Sequence, residues 1–428
     1  MMNTEEALAY INNFTWSESK LGLGRTRQLL NELGDPQKKL KFVHVAGSNG
    51  KGSTCAMIEA VLRAAGYNTG LYPSPYIEDF RESFQSSGRL ISDEELCELT
   101  AVVKDKADKM TDHPTQFEIK TAIAMLFFLK KHCDIVVLET GLGGELDSTN
   151  VIDAPEAAVI TNIGYEHTEY LGNTLREIAS AKAGIIKSGS AVVSYDNRPE
   201  VMEVLEKTSK EKECVLYKTS EKDIIPLGHD LSGQSFKWNG IEIKMPLLGR
   251  HQLKNAVVAL KTLEVLNKKG YAVSKENILK GFAGVKWPAR FEVLRDEPLF
   301  ILDGGHNEQC ACALADILAD YVPDKKFVFL FGVLSDKDYS SMIDTVAPYA
   351  ESFVCVTPDS PRALDGKKLA GVIKEKGYDA VFRSDISEAV RECAGSEKAV
   401  LAFGSLYMAG EVRSTFRKRI LGDKPCTI

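Results

Sequence analysis

Apolar and polar positions divide the chain into two recurring patterns. Short runs of strand length, mostly apolar, lie at residues 41–46, 69–72, 135–138 and 158–160, and between them stand longer stretches with helical spacing. The helical stretches include 3–12, 25–33, 55–65, 92–108 and 116–130, and the last is apolar almost all round, as a helix buried on most sides must be. Three helix starts carry the Ser/Thr-x-x-Glu signature of a capping box: Ser92 with Glu95, Thr115 with Glu118, and Thr174 with Glu177. Pro73-Ser74-Pro75 holds the chain extended after the second strand, and 76–90 reads as an irregular, polar, functional loop. Residues 214–248 break into short strand-like pieces, and 252–266 returns to a helix.

Strands alternating with helices predict a parallel α/β sheet, with its ligand site beyond the carboxyl ends of the strands. The rhythm fails at Val285-Lys286-Trp287-Pro288-Ala289-Arg290, then resumes with apolar strands near 299–302, 327–331, 352–356, 379–382 and 399–403. The expected fold class is α/β: an N-terminal P-loop-type, mostly parallel sheet flanked by helices over residues 1–286, and a smaller C-terminal Rossmann-like α/β domain over 287–428.

The junction after the first strand reads Gly47-Ser48-Asn49-Gly50-Lys51-Gly52-Ser53-Thr54. Glycines let successive backbone N–H groups converge on one anion, the helix start adds the positive end of its dipole, and a lysine supplies a full charge. The spelling departs from the general Walker pattern, because Gly52 separates Lys51 from Ser53. An ordinary strand-to-helix turn needs neither the lysine nor two adjacent hydroxyls, so a nucleotide phosphate is the expected ligand.

Composition removes several alternatives. With 44% hydrophobic residues, 26% charged residues and a net charge of −7, the chain is a globular protein for which nucleic acid is not the main partner. No apolar run approaches the roughly 20 residues that span a bilayer. The polar, acidic start, Met1-Met2-Asn3-Thr4-Glu5-Glu6, is unlike a signal peptide. Nine scattered cysteines without a C-x-x-C pair indicate a reduced, cytoplasmic protein.

Ser74, Glu139 and His167 each follow a predicted strand, at the same sheet edge as the phosphate loop. A carboxylate such as Glu139 caps the next turn or faces a cation. With Ser74 and His167 beside it, a divalent cation on ATP is the expected partner, although magnesium prefers oxygen to imidazole. Lys182 shares a stripe with Ile178 and Ile185, so it lies on an apolar face. It snorkels, joins a buried ion pair, faces the phosphates or metal, or is modified so as to lose its charge. Asp303, after a later strand, either caps the next helix or holds a ribose hydroxyl or an ammonium. Arg290 has the fork geometry for phosphate, Ser405 opens another strand-to-helix turn, and Asn255 is a lone amide on an apolar helix.

These residues fall within a longer pattern. Val45 to Ser53, Phe117-Glu118, Glu139-Thr140-Gly141-Leu142-Gly143-Gly144, Asp147-Ser148-Thr149-Asn150, Lys182 to Lys187, Trp287-Pro288-Ala289-Arg290, Asp303 to Asn307, Asp336-Lys337-Asp338 and Gly404-Ser405-Leu406-Tyr407 stand in an order that resembles the folylpolyglutamate synthase/dihydrofolate synthase family of Mur-ligase-like ATP-dependent amide ligases. The resemblance implies a Mur-ligase-like central domain, and ATP held by Asn49, Gly50, Lys51, Gly52, Ser53, Asn255, Arg290 and Asp303. It implies magnesium, two ions in all, on Ser74, Glu139, His167 and a carbamylated Lys182. A reduced folate would lie near Gly22, Arg25, Gln116, Phe117 and Glu118, and L-glutamate near His306 and Ser405, with Lys51, Lys182, Asp303 and His306 catalytic. Glu118 retains its rival reading as the glutamate of a capping box. The implied reaction activates a folyl γ-carboxylate as an acyl phosphate, which the amine of glutamate attacks; a monomer is expected.

Departures bear on the substrate. The family's Ser-Pro-His reads Ser74-Pro75-Tyr76, its Asn-Glu-Arg-Ile reads Arg81-Glu82-Ser83-Phe84, its arginine after the double glycine is Glu145, and its Asp-His is Glu166-His167. Ser48 replaces a common threonine. Tyr76 and Glu145 favour the members that only extend folates over those that also join dihydropteroate to glutamate. A cell-wall Mur ligase is a rival with the same mechanism, opposed by a phosphate loop that lies near residue 45 with no UDP-binding domain before it. A non-catalytic nucleotide-binding protein is another, opposed by Lys51, Glu139 and His167 all being present.

Overall fold

The structure, a computed structural model, describes residues 2–13 and 22–422. The first sheet has eight strands: β1 (Phe42–Ala46), β2 (Thr69–Tyr72), β3 (Gln85–Ser86), β4 (Arg89–Leu90), β5 (Ile135–Glu139), β6 (Ala157–Ile160), β7 (Ala191–Tyr195) and β8 (Leu216–Thr219). Their order is β4-β3-β2-β5-β1-β6-β7-β8, parallel throughout except for the short β3–β4 hairpin at one edge. β1, β5 and β6 are buried along their whole length, because helices cover both faces. On one face pack the helices Lys51–Ala64 and Arg250–Lys268. On the other pack Gly24–Glu32, Asp93–Ala107 and Gln116–Lys130. Register pairs Val45 with Glu139 and Ala46 with Ile160, so the ends of β1, β5 and β6 open side by side.

The three capping boxes form as their spacing predicts, with Ser92, Thr115 and Thr174 each accepting from the backbone N–H of its glutamate partner. The stretch 76–90 is more ordered than a polar loop. Glu82 accepts hydrogen bonds from the N–H groups of Ile77, Glu78 and Asp79, which folds the segment back, buries Phe80 and Phe84 and lets β3–β4 extend the sheet. The strand-like pieces of 214–248 divide between β8 and a separate antiparallel meander, β9 (Ile224–Asp230), β10 (Gly233–Trp238) and β11 (Ile241–Met245). A helix at Lys275–Gly284, not foreseen from the periodicity, packs against Lys51–Ala64 so closely that Gly281 has no room for a Cβ beside Val61.

The second sheet contains β12 (Glu292–Arg295), β13 (Phe300–Leu302), β14 (Phe327–Phe331), β15 (Ala350–Cys355), β16 (Ala380–Phe382) and β17 (Val400–Phe403), in the order β12-β13-β17-β14-β15-β16. Five strands match the apolar runs read from the sequence. β12 is half-buried and antiparallel, and its Glu-Val-Leu-Arg sequence has no apolar run to betray it. The two α/β units meet directly. Gly410, in the helix Leu406–Thr415, lies against the carbonyl of Ile77, and Arg413 pairs with both Glu78 and Glu292. Among the described residues no helix is long and apolar enough to cross a membrane.

Candidate active site

The loop between β1 and the helix Lys51–Ala64 turns on two glycines with positive φ, Gly47 at +153° and Gly50 at +84°. The second is the N-cap residue, so Lys51, Gly52 and Ser53 occupy the first helical turn, where N–H groups have no intrahelical partner. This helix starts four residues before the predicted Cys55. A Cβ on Gly50 would lie 2.2 Å from Asn255 Oδ1, and one on Gly52 would lie 2.7 Å from the Trp287 ring. The irregular glycine after the lysine therefore has a steric cause, since the hinge tryptophan packs on it. Lys51 Nζ donates to the carbonyls of Gly47 and Ser48, at 2.9 and 3.2 Å, and so lies across the loop. Ser48 Oγ ties the loop to Gly164.

At the neighbouring strand ends, Glu139 is 4% exposed and accepts from the Ser74 N–H at 3.1 Å. Burial pushes its carboxyl above the usual carboxylate range, against the pull of Lys51. His167 begins a short helix with φ +45°, and burial lowers its imidazole to about 4, leaving it neutral and able to coordinate. A hydroxyl, a buried carboxylate and a neutral imidazole on one cleft wall suit a magnesium ion that completes its shell with phosphate and water. Among the described residues there is no cluster of three or more His, Cys, Asp or Glu able to hold a metal ion by themselves.

Lys182 is 1% exposed and is part of a buried ion pair, donating to Glu166 Oε1 at 2.5 Å and to the Gly47 carbonyl at 2.9 Å. Burial lowers its ammonium, with Glu166 opposing. Glu166 itself is raised by burial but held down to about 2 overall, chiefly by Lys182. Lys182 thus lies beneath the phosphate loop rather than on the cleft wall.

The second sheet contributes the facing wall. Asp303 does not cap a helix: the helix Glu308–Tyr321 is capped by Asn307, and Asp303 instead accepts from the N–H groups of Phe291 and Gly305, at 2.8 and 2.7 Å. Burial raises its carboxyl, with Arg290 opposing. His306, lowered to about 4 by burial, donates from Nδ1 to the Gly304 carbonyl, which leaves Nε2 as an acceptor. Ser405 is the N-cap of the helix Leu406–Thr415 and receives the N–H of Tyr407.

One cleft of about 390 Å³ is lined by Asn49 to Ser53, Ser74, Glu139, His167, Asn255, Arg290, Asp303, His306 and Ser405, with Gly22, Phe117 and Glu118 also on its wall. Three residues singled out from the sequence are not on it: Lys182, Arg25 and Gln116. Arg25 donates to Glu118 at 2.9 Å, and Gln116 to Asn12 at 2.6 Å. Glu118 also completes the capping box at Thr115. Lys120, one turn on from Phe117, is buried, which pushes its ammonium down to about 7 against the Glu139 charge. Sequence reasoning missed Gln252, which joins Asn255 to Ser53, and Gln309, which accepts from Asn49 and Asn162 across the domain junction. It also assigned no role to Lys337, which lines the cleft near enough to His167 and His306 for its charge to help lower both imidazoles. No motif marks the two glutamines, which only long-range hydrogen bonds reveal; Lys337 lies within the Asp336-Lys337-Asp338 motif, but only its charge beside the two histidines shows its place in the cleft.

The Mur ligase middle domain family model matches residues 45–263, and the Mur ligase glutamate ligase domain model matches 289–406. A dihydrofolate synthase/folylpolyglutamate synthase of Bacillus subtilis is 36% identical over 432 residues, which cover 96% of this chain and 99% of that protein. The chain belongs to the folylpolyglutamate synthase/dihydrofolate synthase family of Mur ligases. Its fold agrees with solved folylpolyglutamate synthases. A Mycobacterium tuberculosis enzyme complexed with ADP and AMPPCP superposes with a TM-score of 0.87 at 28% identity, over 99% of this chain and 100% of that one. A folylpolyglutamate synthase complex with AMPPCP and folate gives 0.82 at 30% identity, over 97% and 100%. Trp287, which packs on Gly52, falls between the two matched Mur ligase segments.

Proposed function

We propose that this chain is an ATP-dependent ligase that adds L-glutamate to the γ-carboxylate of a (tetrahydro)folyl-glutamate, giving ADP and phosphate. The observation that carries this reading is the shared cleft. In a member of this family, it gathers a phosphate loop and a metal-competent sheet edge from one α/β unit, and Asp303, His306 and Ser405 from the other. A carboxylate is a poor electrophile, and phosphorylation makes it an acyl phosphate that an amine can attack. The Asn49–Ser53 turn and Lys51 bind the ATP phosphates, with Asn255, Arg290 and Asp303 toward the rest of the nucleotide. Ser74, Glu139 and His167 hold magnesium, which neutralises phosphate charge. Gly22, Phe117 and Glu118 form the folate side, and Arg25 and Gln116 support it from behind the cleft wall, Arg25 through Glu118. His306 and Ser405 receive glutamate, with His306 Nε2 available to take a proton from its ammonium.

Carbamylation of Lys182 belongs to the same proposal. It would turn the cation beside Glu166 into an anion, and a second magnesium would supply the compensating charge. Residues 1–286 act as the ATP- and folate-binding domain, and 287–428 bring glutamate. A monomer working in the cytoplasm belongs to the same proposal, and the eight described cysteines are free thiols, the state a reducing compartment maintains.

A second reading, that the enzyme also joins dihydropteroate to glutamate, is supported by the double name of the Bacillus subtilis relative. Purified protein with ATP, magnesium and L-glutamate, offered tetrahydrofolate or dihydropteroate separately, tests both. ADP release that requires folate and glutamate, with a folate product heavier by one glutamyl residue, is expected. No folate-dependent ADP release, with turnover of a UDP-muramoyl peptide instead, would overturn the reading.

A further inference from the structure

Lys120 is 6% exposed, and among the described residues its ammonium makes no hydrogen bond and no ion pair. Its Nζ stands inside a cage of four aromatic rings, 5.3 Å from the centre of Tyr72, 5.8 Å from Phe117, 5.9 Å from Phe80 and 6.0 Å from Tyr76. Ring faces attract an ammonium, but more weakly than the water it has given up. Buried charges are ordinarily paired, and a methionine would occupy this space without the desolvation cost. The buried Glu139 carboxylate is near enough to favour the charged form but makes no hydrogen bond or ion pair with it, so the ammonium keeps its donors for an anion that enters from outside the protein.

The cage borders the cleft. Phe117 lines the cleft, as do Ser74 and Pro75, which lie between the cage residues Tyr72 and Tyr76. Tyr76 is the exposed ring of the four, at 39%, so the cage is not closed on every side. Lys51, which lies across the phosphate loop, serves the ATP phosphates that the reacting carboxylate must meet. Lys120, on the Phe117 wall, is left for a different negative charge on the same substrate.

We propose that Lys120 is a specificity-determining residue that binds the carboxylate of the folyl-glutamate arm that is not activated. The assignment rests on the ligase reading given above. Its consequence is a preference between acyl substrates. A folyl-glutamate carries two carboxylates, one to react and one to be held, whereas dihydropteroate carries only the one that reacts. Lys120 therefore favours folate extension over the joining of dihydropteroate to glutamate.

The test is equilibrium binding in the presence of AMPPCP and magnesium, with tetrahydrofolate monoglutamate, its α-amide, and dihydropteroate as ligands. Lys120→Met is expected to weaken the monoglutamate about tenfold, as loss of one charge-assisted contact does. The same variant leaves the α-amide and dihydropteroate within about twofold, and Lys120→Arg retains most of the monoglutamate affinity. Lys120→Gln provides a second neutral variant and is expected to follow Lys120→Met. Equal weakening of all three ligands would assign Lys120 to packing and overturn the proposal, and so would unchanged affinity for the monoglutamate. Wild-type protein that binds none of the three would instead overturn the ligase reading, which keeps the two failures apart.

Discussion

The Arg25–Glu118 pair offers a quantitative test of what holds the helix start at Thr115. Glu118 is 2% exposed; its Oε2 accepts from Arg25 Nε at 2.9 Å and from the Thr115 N–H at 2.7 Å, and its Oε1 from the Thr26 hydroxyl at 3.2 Å. Removing one partner of a buried ion pair costs about 3–5 kcal/mol, and losing a cap about 1 kcal/mol. Asp112, at 3.3 Å, still faces Arg25, but its side chain is more than half exposed and compensates little. Glu118→Ala should therefore lose about 4 kcal/mol. Arg25→Ala should lose about 2 kcal/mol, because Glu118 retains two other donors. In the double variant no charge is stranded, so the combined loss should fall short of additivity by about 2 kcal/mol. Urea titrations of the four proteins, followed by circular dichroism, give this coupling, with folate affinity measured on each. Losses additive to within about 0.5 kcal/mol, or a coupling that appears in folate affinity and not in stability, would refute the pair as framework and make it a substrate contact.

Lys182→Met should reduce turnover roughly 10- to 100-fold or more without rescue by bicarbonate, and intact-protein mass should reveal one added CO2 on the wild type only; wild-type turnover in the variant would remove Lys182 from the reaction. Gln309→Leu removes the acceptor that holds the exposed amides of Asn49 and Asn162 in place, and calorimetry should find ADP bound about tenfold more weakly, with unchanged affinity counting against a role for the junction in nucleotide binding. Gly52→Ala should weaken nucleotide binding through collision with Trp287, and adding Trp287→Ala should restore part of it; no restoration would place the cause elsewhere. His44 is fully buried, and burial pushes its imidazole down to about 3 from an ordinary value of 6.5. Below pH 6.5 the unfolded chain takes up the proton first, so His44 costs up to about 1.4 kcal/mol per pH unit as the pH falls toward 3. His44→Gln should flatten that part of the stability–pH curve, and an unchanged curve would show that other groups set it.

Local patterns were enough to foresee most elements, because they report what a segment must bury and how its ends are capped. Apolar runs at β1, β5, β6 and the second sheet's parallel strands, and the boxes at Ser92, Thr115 and Thr174, carry their own explanation. β12 and the helix Lys275–Gly284 escaped because a half-buried edge strand and a short surface helix leave only a weak periodic signal. Lys51, Glu139, His167 and Asp303 could be singled out because each ends a strand or lies in the segment that follows one, where an α/β sheet keeps its ligand site. Sequence could not say which reading of a residue prevailed. Asp303 braces a turn, Lys182 pairs with Glu166, and Gly52 is small because Trp287 lies against it. Those outcomes depend on partners that the fold brings together, 12 residues apart for Asp303 and Phe291 and 16 for Lys182 and Glu166, and from beyond the first sheet for Gly52 and Trp287. Chain order determines the elements and their chemistry; burial and distance, which exist only once two sheets enclose one cleft, decide which charge is paired and which, like Lys120, is left for a ligand.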